Sequence, residues 1–370
     1  MAKYIYEHKN WTNFTWDDKA INALFGEVRL MQGKIIGQMN ALGFPAKEEA
    51  SLSTLTLDVV KSSEIEGESL NYDQVRSSIA RRLGIDIAGF VSSNRHVEGV
   101  VEMMLDATQR RTLPLTEERL LGWHAALFPT GYSGLYKIEV GKYRTGEMQI
   151  VSGVMGKEKV HYEAVNPKLV KAEMNKFLHW FNNENKLDLV LKAAIAHFWF
   201  IIIHPFDDGN GRIGRALTDM LLARAEDSSE RFYSMSSQIL IERKQYYEIL
   251  QKVQHSKEDI TAWLEWFLHC LKNAMLATTY TTQKIIDKAE FWKRHDNTPI
   301  NERQRLMLNK LFDGFEGKLQ TSKWAKITKT STDTALRDIK DLIEKGILQQ
   351  TNEGGRNANY QLSKTTTDTL

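Results

Sequence analysis

Residues 204–215 read His204-Pro205-Phe206-Asp207-Asp208-Gly209-Asn210-Gly211-Arg212-Ile213-Gly214-Arg215. Around them, between Lys168 and Thr298, Pro205 is the only proline, and Gly209, Gly211 and Gly214 are the only glycines. The rest of that stretch carries helix-compatible residues in long amphipathic or buried patterns. Glycine and proline inside helices cost about 1 and 3 kcal/mol. Gathering every breaker of a large helical body into one short segment therefore needs a cause. The pattern predicts a buried helix from Val190 to Ile203, ended by Pro205. A loop over 207–211 follows. A second helix then starts near Arg212, with Ala216, Leu217, Met220 and Leu221 on its apolar face.

Such a loop delivers unpaired backbone N–H groups at a helix N-terminus, where the dipole also favours an anion. Gly209 and Gly211 let the backbone approach a ligand closely. Arg212 and Arg215 are three apart and share a helix face; two guanidiniums beside an anion nest suit a polyphosphate. Asp208 is a hard oxygen ligand beside that nest, as Mg²⁺ on phosphates requires. His204 can serve as a general base near neutral pH. Each residue also has a duller reading: His204 as a helix cap, Arg215 paired with Asp219 one turn on, Asp208 as a turn residue. No Lys-Ser/Thr follows the glycines, so this is not a Walker A loop.

Working outward, the 370 residues suggest two or three domains. With 49 Lys+Arg against 47 Asp+Glu, the formal charge of +2 excludes a chain that is basic throughout, though not a local basic patch. The one cysteine, Cys270, excludes an intrachain disulfide or a cysteine-built zinc cage. The first ten residues contain no secretory apolar region. The apolar run Ala193–Ile203, interrupted by His197, is far shorter than the ~20 residues a spanning helix needs. A soluble, cytoplasmic chain without membrane contact is expected. Helices are expected over 16–39, 47–66 (stopping at Gly67), 71–83, 94–110, 115–127 and 167–182. Between them Gly141–Tyr162 reads as a β-hairpin, with Tyr, Val and Ile runs broken by Gly146, Gly153 and Gly156. Trp11, Phe14 and Trp16 are expected to pack against the body.

The segment His204–Arg215 resembles the signature of Fic-domain proteins, His-Pro-Phe-x-Asp/Glu-Gly-Asn-Gly-Arg-x-x-Arg, at every specified position. The resemblance extends over about 50–275. It implies a mainly α protein: a Fic-type helical bundle with a β-hairpin flap. It also implies transfer of AMP from Mg-ATP to a Ser, Thr or Tyr hydroxyl of a target protein or of the chain itself. By that resemblance His204 is the catalytic base and Asp208 the Mg²⁺ ligand. Gly209, Asn210 and Gly211 cradle phosphates, Arg212 binds phosphate, and Arg215 reaches the γ-phosphate. The hairpin corresponds to the family's flap, with Arg144, Met148, Gln149, Ile150 and Val151 as target-positioning residues. Tyr247 and Gln254 correspond to the adenine pocket. Ser62, Glu66 and Gly67 match the inhibitory motif Ser/Thr-x-x-x-Glu-Gly/Asn. Ser62 and Glu66 lie one turn apart on a helix face, and Gly67 suits a left-handed cap. Glu66 would pair with Arg215 in place of the γ-phosphate.

The expected layout is an N-terminal helical region over 1–110 including the inhibitory helix at about 48–67, a Fic core over 111–285, and a small winged helix-turn-helix-like domain over 300–365. In the last, helices over 302–313, 321–328 and 331–345 precede two short strands flanking Gly354-Gly355. Lys323, Lys326, Lys329, Arg337, Lys340 and Arg356 could meet DNA, but Asp333, Asp338, Asp341 and Glu344 share the candidate recognition helix. Protein interaction or a homodimer is favoured there over DNA. Two other functions stay open: a DNA-binding regulator whose Fic domain senses nucleotide, and an enzyme that moves another phosphate-containing group or removes AMP.

Overall fold

The computed structural model describes residues 3–40, 44–87, 89–152, 159–312, 315, 317–351 and 358–363. The chain is mainly helical and divides into two units, Met1–Tyr280 and Thr281–Leu370. In the first, α1 (Asp18–Asn40), α2 (Phe44–Ile65), α3 (Tyr72–Leu83), α4 (Arg95–Gln109) and α5 (Glu117–Leu127) precede two small hairpins. Then follow α6 (Pro167–Asn183), α7 (Leu189–Ile203), α8 (Asn210–Ala225), α9 (Met235–Ile241), α10 (Arg243–Val253) and the start of α11 (Thr261–Arg294). The starts are chemically marked. Asn71, Asn94, Thr116, Asn166 and Asp188 each accept a first-turn N–H, at α3, α4, α5, α6 and α7 respectively.

The central helix is α7. After its first turn every side chain is buried, as its unbroken apolar sequence requires. Trp11 and Phe14 stack edge-on against Trp199, and Trp263 packs on Phe198. α8 returns antiparallel along α7, and α2 packs against α3, α8 and α9. Gly214 permits the close α7–α8 approach, since a Cβ there would sit 3.2 Å from Ile201 Cδ1. The C-terminus of α2 thereby meets the N-terminus of α8.

The hairpins differ from the sequence expectation. Gly141–Met148 forms no strand; pairing is between β3 (Gln149–Ser152) and β4 (Lys159–Glu163), with a bulge between Ile150 and Val151. Gly153 and Gly156 lie outside the described residues. An unexpected hairpin, β1 (Tyr132–Ser133) and β2 (Tyr136–Lys137), precedes it.

In the second unit, α12 (Glu302–Phe312), α13 (Thr321–Thr328) and α14 (Thr332–Glu344) enclose a core of Met307, Leu308, Trp324, Ala335, Ile339 and Leu342. Ser331 caps α14. β5 (Leu348–Gln350) pairs antiparallel with β6 (Tyr360–Leu362). Asp338, one of the acidic residues expected on the candidate recognition helix, is buried and accepts two bonds from Arg303, at 2.8 and 2.9 Å. Asp333, Arg337, Lys340 and Glu344 remain exposed. Gly354, Gly355 and Arg356 lie outside the described residues.

Candidate active site

The loop between α7 and α8 is held from several sides. His204 ends α7 in the left-handed region, φ +51°, a conformation that residues with a Cβ take only when their surroundings impose it. Arg144 imposes it here. Its Nε donates to His204 O at 2.7 Å, its backbone N–H donates to Pro205 O at 2.9 Å, and its guanidinium also bonds the Val165 carbonyl. Arg144 is buried. It was expected to face a target from the flap, and instead it fixes the turn at the end of α7. Asn210 is similarly occupied: its side chain accepts from Phe206 N and donates to Phe206 O, at 3.0 and 2.8 Å. The Asn210 side chain thereby braces the loop from within. Phe206 is buried with its ring stacked 4.3 Å from that of His124. Burial pushes the His124 imidazole down to about 4, and its Nδ1 accepts from Gly141 N.

Within this frame His204 Nδ1 lies 3.3 Å from Ile201 O. A carbonyl only accepts, so Nδ1 carries the proton and Nε2 presents a lone pair. Burial, aided by the charge of Arg144, lowers the imidazole to about 4, against the pull of Ile201 O, Glu66 and Asp208. His204 is thus neutral and able to accept a proton at pH 7. Four residues on, Asp208 accepts Gly209 N–H at 2.5 Å and bonds the Ser133 hydroxyl from β1.

The first turn of α8 has no side-chain cap; Gly209 occupies the N-cap at φ +81°. The end of α2 packs against this turn. Here Glu68 N donates to Ser63 O and Gly67 N to Glu64 O, with Gly67 at φ +84°. That is a Schellman closure, and it turns two carboxylates toward α8. Glu66 Oε1 lies 2.7 Å from Arg215 Nη2, and against Gly211 so closely that a Cβ there would be 2.0 Å away. Ser62 accepts from Arg215 twice more, through Oγ and its carbonyl, both at 2.8 Å. Glu68 Oε2 lies 2.6 Å from Arg212 Nη1 and 3.1 Å from His96 Nε2. Asp219, the alternative partner for Arg215, instead pairs with buried Arg231 at 2.9 Å.

The donor set fits a polyphosphate. Two buried arginines converge on an uncapped helix start, a carboxylate already sits there, and Arg215 Nη1 and Arg212 Nε are buried without a partner. Among the described residues no three acidic, His or Cys side chains could hold a metal alone. A divalent ion would therefore bind through Asp208 together with phosphate oxygens.

Tyr247 projects from α10, half-exposed, near enough to Glu66 and Arg215 to feel their charges. Gln254 does not join it: its amide is buried and donates to His161 O at 3.1 Å, tying α10 to β4. Tyr246 lies beneath, its hydroxyl 2.9 Å from His197 Nε2. Of the flap residues, Gln149 and Ile150 are exposed and Met148 O accepts Ala164 N at 2.9 Å; the Val151 side chain lies outside the described residues. Glu68, His96, Ser133 and His124 were not anticipated. The spacing Glu66-Gly67-Glu68, two acids flanking a turn glycine, was the one local signal.

Residues 114–222 match the Fic/DOC family, and residues 4–85 match a domain of unknown function, DUF4172. The protein adenylyltransferase Fic of Drosophila grimshawi is 27% identical over 254 residues, 68% of this chain and 47% of that protein. The protein adenylyltransferase fic-1 of Caenorhabditis elegans is 32% identical over 90 residues, 24% of this chain and 16% of that protein. The chain thus spans less than half the length of the curated relatives it matches. Among solved structures, a Fic family protein from Desulfovibrio desulfuricans G20 has a TM-score of 0.53 at 23% identity, covering 94% of this chain and 96% of that one. C. elegans Fic-1 (aa134–508) has a TM-score of 0.50 at 20% identity, over 71% and 73%. Residues 114–222 thus match the Fic/DOC family, and the fold is similar to that of solved Fic proteins.

Proposed function

We propose that this chain is an autoinhibited protein adenylyltransferase, transferring AMP from ATP to a hydroxyl of a protein target or of itself. The observation that carries the reading is the Glu66 carboxylate, seated over Gly211 and bonded to Arg215. A carboxylate in that seat competes with a nucleotide's terminal phosphate for the same guanidinium. The curated relatives named protein adenylyltransferase Fic support the same class of chemistry.

On this reading His204 Nε2 takes the proton of the acceptor hydroxyl as its oxygen attacks the α-phosphorus. The bond from that phosphorus to the bridging oxygen breaks, and pyrophosphate leaves with the electron pair. The α8 amides and Arg212 hold the phosphates in line, and Arg215 fixes the terminal one once Glu66 has moved. Asp208 would hold Mg²⁺, which offsets charge gathering on the leaving group. The exposed edge of β3 would take an extended target segment by strand addition.

The test uses Glu66→Gly protein with ATP labelled at either the α- or the γ-phosphorus. Label should enter protein from the α position alone. Entry from the γ position would replace AMP transfer with phosphoryl transfer.

A further inference from the structure

We propose that Glu68 is a second inhibitory carboxylate, masking Arg212 as Glu66 masks Arg215, so that the resting site is closed to both ends of a polyphosphate. The inference rests on the reading above and extends it to a residue outside the matched motif.

Arg212 stands in the first turn of α8, where the helix dipole is positive, and its side chain is 1% exposed. A buried cation there needs an anion beside it. Glu68 supplies one from a segment 144 residues away in sequence. Burial alone would raise the Glu68 carboxyl; the His96 hydrogen bond and the Arg212 charge outweigh it and hold the group below the usual carboxylate range. His96 on α4 thus buttresses the carboxylate from behind. The pairing still leaves Arg212 Nε buried without a partner. Phosphate oxygens could satisfy that donor and Glu68 does not.

Both carboxylates ride on one Schellman turn centred on Gly67. A displacement of residues 66–68 would therefore unmask both arginines together. Removing Glu66 alone leaves Arg212 masked.

Isothermal calorimetry of ADP and ATP with wild type, Glu66→Gly, Glu68→Gln, the double variant and His96→Ala tests this. ADP lacks the terminal phosphate, so it reports on Arg212. Glu68→Gln should tighten ADP binding about fivefold, the worth of one partly exposed charge pair, and more than Glu66→Gly does. ATP should tighten in both variants and further in the double. His96→Ala, at a half-exposed residue, should move ADP the same way by less, and it covers the case in which Glu68→Gln folds poorly. Unchanged ADP affinity in Glu68→Gln and His96→Ala, with tighter ATP in Glu66→Gly, overturns the second latch and leaves the function standing. No nucleotide binding in any variant overturns both.

Discussion

Replacing Gly211 by alanine would put a methyl carbon 2.0 Å from Glu66 Oε1 and 2.9 Å from its Cδ. Non-bonded atoms rest about 3.5 Å apart, so the carboxylate must retreat by roughly 1.5 Å. Its 2.7 Å bond to Arg215 cannot survive that move. A hydrogen bond between charged groups contributes about 1.5–3 kcal/mol. The Glu66 side chain is 26% exposed, which places the loss near ~1.5 kcal/mol. For a unit spanning Met1–Tyr280 that lowers Tm by about 2–3 °C. Removing Glu66 first changes the sign. The nearest atom the methyl then meets is Arg215 Nη1, at 3.1 Å and at the end of a flexible side chain. Alanine is the better helix former by up to ~1 kcal/mol. A double-mutant cycle of Gly211→Ala and Glu66→Ala, read by urea unfolding without nucleotide, should give a coupling energy of about 1.5 kcal/mol. Alanine at 66 avoids adding a second glycine beside Gly67. Equal destabilisation in both backgrounds would show that the Glu66 carboxylate does not occupy the Gly211 seat.

Other expectations follow from single groups. The acid limb of kcat/KM for the Glu66→Gly enzyme should lie near pH 4, where desolvation holds His204, and a limb near the ordinary ~6.5 would contradict the neutral base. His197, whose ring spans Thr218 and Tyr246, is held down to about 3 by burial and then by Arg215. Between pH 3 and 6.5 the unfolded chain binds a proton that native His197 refuses, so this residue makes stability fall as pH falls. His197→Gln should flatten the slope of unfolding free energy by up to ~1.4 kcal/mol per pH unit over pH 5–6, measured in urea; an unchanged slope would refute it. Asp208→Ala should abolish the Mg²⁺ dependence of ATP binding, and Ser133→Ala should raise the Mg²⁺ requirement a few-fold by removing the hydroxyl that orients the Asp208 carboxylate. If both titrate as wild type, Asp208 is not the metal ligand.

What could be read from the sequence was what local chemistry decides. The breakers gathered at 205–214 marked the α7–α8 loop because nothing else in that body could interrupt a helix. The apolar run ending at Ile203 announced a buried helix. What escaped depends on partners far along the chain. Glu68 reaches across 144 residues to Arg212, and Ser133 reaches Asp208 from a two-residue strand too short to carry a period-2 pattern. Arg144 follows a tyrosine in a polar stretch and looks like a surface residue. Only the fold shows its guanidinium among the carbonyls of the catalytic turn. Gln254 resembled an adenine contact by position, yet its amide serves the β4 backbone.

The central claim is that the α7–α8 loop transfers AMP and that Glu66 restrains it. Its most direct test is intact mass after incubating wild type, Glu66→Gly and Glu66→Gly/His204→Ala proteins with Mg-ATP. The account predicts the added mass of AMP on Glu66→Gly alone. Equal labelling of wild type and Glu66→Gly, or labelling that survives loss of His204, would contradict it.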